Sequence, residues 1–82
     1  MFEERATEIN GMVEQIRPIL AGHSAAAQGA ALADCLAFWL AGHDCPGDED
    51  ATRSTRAELL AMHCSAVRLL TSINAKLLGT TP

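Results

Sequence analysis

Leu20-Ala21-Gly22-His23 and Leu40-Ala41-Gly42-His43 are the same four residues used twice, and each copy ends an apolar run. Ser24 follows the first copy and Asp44 the second; both are short polar residues of the kind that start helices. Glycine tolerates the left-handed backbone conformation in which helices commonly stop, so Gly22 and Gly42 read as two terminating glycines. The chain around them falls into three helical segments, over residues 3–21, 25–41 and 48–78. The repetition reads as a helix-ending phrase used twice rather than as the trace of a duplicated hairpin.

Composition points the same way. Tyr is absent and aromatic residues make up 4% of the chain, while Ala and Leu dominate, so strands find few of the residues they favour. The expected fold is all-α: a three-helix antiparallel (up-down-up) bundle with a long third helix, in one domain spanning 1–82. A chain this short buries only about 60% of the surface its unfolded form exposes. Chains near this length often add a metal, disulfides or a second subunit, which makes a dimer a natural expectation here.

The balance of six basic against ten acidic residues gives a net charge of −4, with no basic stripe to follow a phosphate backbone. Nucleic acid is therefore not an expected partner. Three cysteines, an odd count, and a start of Met1-Phe2-Glu3-Glu4 unlike a secretory leader imply free thiols and a cytoplasmic setting. The run from Ala25 to Ala41 is the nearest approach to a membrane span. It is too short, too rich in alanine and broken by Gln28 and Asp34, whereas a span needs about 20 strongly apolar residues.

In the first segment Ile9, Met12, Val13, Ile16, Ile19 and Leu20 recur at helical spacing, the stripe of a helix that faces a core. Pro18 has no N–H to offer the carbonyl of Glu14, so either the helix bends there or it stops near Arg17. The second segment is apolar on nearly every side, and a helix of that kind needs partners all round. Small residues near Gly29 allow close approach of another backbone, while Leu32, Leu36, Phe38, Trp39 and Leu40 supply bulk at the far end. Adjacent residues diverge by about 100° on a helix. Phe38 and Trp39 therefore face different neighbours, one in the core and one at a seam between subunits. Gly29, Leu32, Leu36, Phe38 and Trp39 are the candidate interaction surface. The third segment is polar over its first third, expected to overhang the bundle or lie against another subunit; from Leu59 it carries a stripe of Leu59, Met62, Ala66, Leu69, Leu70, Ile73 and Leu77, ending at Gly79.

Few residues suggest chemistry. His43, Cys45, His63 and Cys64 are the ligand types of a tetrahedral zinc site. Their spacing argues against it, because neighbours His63 and Cys64 diverge by about 100° and at most one faces a given ion. The plainer reading gives His43 a capping role, Cys45 a place in a loop and Cys64 a packing role. His23 and His43 stand at opposite ends of the second helix, about 27 Å apart, so each is better placed to meet last-turn carbonyls. Asp34 lies among Ala33, Cys35, Leu36 and Ala37 and is a candidate buried charge. Three readings compete, in this order: it faces solvent, it pairs with Arg17, Arg56 or Arg68, or it is functional.

No Gly-rich elbow, phosphate loop or nucleophile–base pair is present in the sequence, so no enzyme activity and no cofactor are expected. The expected function is that of a small cytoplasmic helical interaction module, non-catalytic, self-associating through the second helix, with another protein as a further candidate partner. The alternative is a metal-binding or thiol-reactive protein using Cys45 and Cys64 with His43 and His63.

Overall fold

The computed structural model describes residues 2–82, and they are all-helical: α1 (Phe2–Leu20), α2 (Ala25–Ala41) and α3 (Glu49–Leu78). The chain divides into two compact units, Met1–Asp34 and Cys35–Pro82, and the division falls inside α2.

The helix boundaries follow local chemistry. In the first unit, α1 runs through Pro18 to Leu20. The alternative of a stop at Arg17 is thereby excluded, and the Ala21 N–H still donates to the Arg17 carbonyl at 3.0 Å. Gly22 takes φ +83°, the left-handed conformation expected of it. Ser24 then opens α2: its hydroxyl accepts from the Ala27 N–H at 3.1 Å. Gln28 reaches back from the first turn of α2 to donate to the His23 carbonyl at 2.9 Å. An apolar helix thus keeps one amide because the preceding turn has a carbonyl to satisfy.

The stripe expected to face a core in the first unit is exposed at Ile9, Met12, Val13, Ile16 and Ile19. The reason lies in what the unit has to offer. Its share of α2, residues 25–34, contains one leucine among alanines and a glycine, too little bulk to cover five large side chains.

The second unit contains the end of α2, the connection 42–48 and α3. Asp48 caps α3, its carboxylate accepting from the Ala51 N–H at 2.9 Å. The helix ends at Gly79 in the left-handed conformation, with Gly79 N–H bonded to the Lys76 carbonyl and Thr80 N–H to the Ala75 carbonyl. Those two bonds are the paired closure of a Schellman ending, and they turn the tail over Ala75, which is 7% exposed.

Gly42 departs from expectation. Its φ is not positive; its N–H continues the helical pattern to the Phe38 carbonyl at 3.1 Å. The left-handed residue after α2 is instead Gly47, φ +81°, in the turn Cys45-Pro46-Gly47-Asp48, closed by Asp48 N–H on the Cys45 carbonyl at 3.0 Å. Proline second and a positive-φ glycine third are the pattern of a type II turn. The two copies of Leu-Ala-Gly-His therefore end their helices differently, because the second is followed by a turn that makes the reversal itself.

Candidate functional site

The second unit concentrates its polar contacts where α2 ends and α3 begins. The connection carries backbone groups that need partners, and the polar start of α3 supplies them. Thr52, 9% exposed, is the centre of this arrangement. Its hydroxyl accepts from the Cys45 N–H at 2.9 Å and lies 2.9 Å from the Asp48 carbonyl, with the Cys45 carbonyl and an Asp44 carboxylate oxygen each at 3.3 Å. A hydroxyl has one proton to give, and the Asp48 carbonyl is the nearest of the three acceptors.

Arg56, one turn further on, reaches the end of α2. Its Nε donates to the His43 carbonyl and an Nη to the Ala41 carbonyl, each at 3.0 Å. The last carbonyls of a helix carry partial negative charge and have no partners within it, so a guanidinium there answers both needs. The first third of α3 is thus a clamp on the connection within its own unit, not an overhang.

His43 and His63 both contact Trp39. The His43 ring meets the indole edge-on at a centroid distance of 4.5 Å, and the His63 ring does so at 4.8 Å. His43 Nδ1 also lies 2.9 Å from the Trp39 carbonyl, which fixes Nδ1 as the protonated nitrogen. The capping role read for His43 is therefore observed. Such edge-to-face contacts hold aromatic groups in register, and here they tie α2 to α3.

The four candidate metal ligands do not converge. His43 and His63 each pack edge-on against the Trp39 indole, and Cys45 turns toward Thr55, 4.0 Å from sulfur to hydroxyl oxygen. Cys64 is exposed. Among the described residues no three His, Cys, Asp or Glu side chains stand close enough to share an ion. Asp34 is exposed, so the candidate buried charge is not buried, and Arg56, one of its suggested partners, is occupied on the Ala41 and His43 carbonyls. Arg17 pairs instead with Glu14 at 3.1 Å.

Of the candidate interaction surface, Leu36 is half-buried, while Gly29 and Leu32 are exposed. Trp39 is 42% exposed and Phe38 84%. Those two neighbours do diverge, Trp39 engaged by two histidines and Phe38 in solvent, but neither fills a core as expected, because the histidines cover Trp39 only in part. No described helix is long and apolar enough to cross a membrane.

Thr52 and Arg56 are the residues that sequence reasoning missed. A signal existed for Arg56: no acidic residue stands three or four positions away on α3, so its charge had to be met elsewhere. Compared with protein-family models, with curated proteins and with solved structures, the chain matches none.

Proposed function

We propose that this chain is a small helical interaction module, without catalytic chemistry of its own, that works by presenting apolar helix surface to a second copy of itself. The observation that carries the reading is Phe38, 84% exposed on a helix whose one charged residue is Asp34. A large aromatic side chain left in water by its own chain is the kind of residue that anchors interfaces. Leu32 on the same helix is exposed as well. The contacts of the second unit support an antiparallel pairing of α2 and α3, since Ala41 meets Arg56 while the earlier Trp39 meets the later His63. In this reading α1 completes an up-down-up bundle, two copies form the working dimer, and three free thiols suit a cytoplasmic setting.

The test is light scattering coupled to size exclusion on wild-type protein and on Phe38→Ser and Leu32→Ser variants. A dimer that weakens in both variants, with helical content unchanged by circular dichroism, is the expected result. A wild-type chain that stays monomeric up to hundreds of micromolar sinks the reading.

A further inference from the structure

The C-terminal half of α3 carries a second surface, distinct from α2, whose pattern matches itself when reversed. From residue 58 to residue 78 this helix has three fully charged side chains, Glu58, Arg68 and Lys76. Glu58 and Lys76 are eighteen positions apart, about five turns at 3.6 residues per turn, and so lie on one flank of the helix. Arg68, ten positions from Glu58, lies about 80° round the helix from that line. Among the described residues neither Glu58 nor Lys76 has an ion-pair partner within the chain.

The same flank carries Met62, Ser65, Leu69 and Ser72, all exposed; Met62 is 68% and Leu69 64% exposed. These six positions are arranged symmetrically about the level of Val67. Glu58 and Lys76 stand nine positions to either side of it, Met62 and Ser72 five, Ser65 and Leu69 two. A second α3 laid against this flank in the opposite direction therefore sets Glu58 beside the other copy's Lys76, Met62 beside its Ser72 and Leu69 beside its Ser65. Every level then pairs acid with base or large with small, twice over by the two-fold axis. A parallel alignment would set Glu58 against Glu58 and Lys76 against Lys76, so the charges also select against the wrong direction.

We propose that two copies of this chain pair through an antiparallel α3–α3 contact on the Glu58–Lys76 flank. The proposal rests on the self-association reading above but assigns a seam to a different helix. The face that ties α3 to α2 within the unit, at Thr52, Arg56 and His63, is rotated away from this flank and stays in use. No bond is made or broken; the contact is apolar packing with two peripheral ion pairs.

The test is charge exchange, read as the dimer dissociation constant by analytical ultracentrifugation at low salt. Glu58→Lys alone and Lys76→Glu alone each place two like-charged pairs in the seam, and each is expected to raise the constant about tenfold. The double exchange Glu58→Lys with Lys76→Glu restores both pairs and is expected to return the constant close to the wild-type value. Both sites are exposed, and circular dichroism checks that helix content is kept in all three variants. Single exchanges without effect, or a double exchange as weak as the singles, overturn the proposal. If Phe38→Ser and Leu32→Ser disrupt a dimer that ignores these exchanges, the α3 seam is refuted while the α2 reading stands. A monomer at every concentration refutes both.

Discussion

Arg56 Nε donates to the His43 carbonyl across thirteen positions of sequence, at 3.0 Å, and so fastens the end of α2 to the start of α3. The guanidinium makes its second bond to Ala41 at the same distance, using the fork that distinguishes arginine from lysine. Arg56→Ala is expected to destabilise the folded chain by about 1–2 kcal/mol, because two carbonyls lose a charge-assisted partner. Arg56→Lys, which keeps the charge and loses the fork, is expected to recover less than half of that. Urea unfolding followed by far-ultraviolet circular dichroism measures both; an unchanged midpoint for Arg56→Ala would show the bonds to be idle.

Thr52→Val keeps the shape of the side chain and removes its oxygen. The Cys45 N–H then loses its acceptor in a half-buried place, at an expected cost of about 1–3 kcal/mol. Hydrogen exchange gives a local check: the Cys45 amide should exchange at least tenfold faster, and Thr52→Ser should retain its protection.

The two repeated glycines make opposite predictions. At Gly22, with φ +83°, an alanine is forced into the left-handed region and should destabilise by about 1 kcal/mol. At Gly42 the backbone is compatible with alanine, and the added Cβ would meet the Trp39 carbonyl oxygen at 3.4 Å, ordinary contact. Gly42→Ala should therefore be neutral or stabilise by up to about 1 kcal/mol. Thermal melts of the two variants side by side test the difference, and equal losses would contradict it.

Pro18 sits inside α1, where it withholds the bond due to the Glu14 carbonyl. Pro18→Ala restores that N–H and should favour the helix by up to about 3 kcal/mol. The readout is a gain in ellipticity at 222 nm, together with slower exchange of amides near residue 18. Ellipticity equal to wild type would mean the helix already tolerates the ring without loss.

The three helices were legible because their ends are written in local chemistry. Ser24, Asp48, Gly22 and Gly79 each act within a turn of where they stand, and a single sequence carries that information. Gly42 misled because its neighbours resemble those of Gly22, while the deciding residues, Pro46 and Gly47, lie four and five positions later. The polar start of α3 was harder still. Thr52 and Arg56 answer backbone groups seven to fifteen positions earlier, and nothing in periodicity says which carbonyls a folded turn will leave unpaired. For the same reason the zinc-like set of His43, Cys45, His63 and Cys64 did not foretell that both its imidazoles would pack on the Trp39 indole.

The clamp around the connection gives the chain an internal clock. Cys45 is half-buried while Cys35 and Cys64 are exposed, and its own N–H is held by Thr52. Cys35 and Cys64 should react with a thiol reagent at once, while Cys45 should lag by an interval set by how often the clamp opens. That interval can be timed in a stopped-flow cuvette without altering a single residue. It would turn the joint between α2 and α3 from a set of distances into a rate.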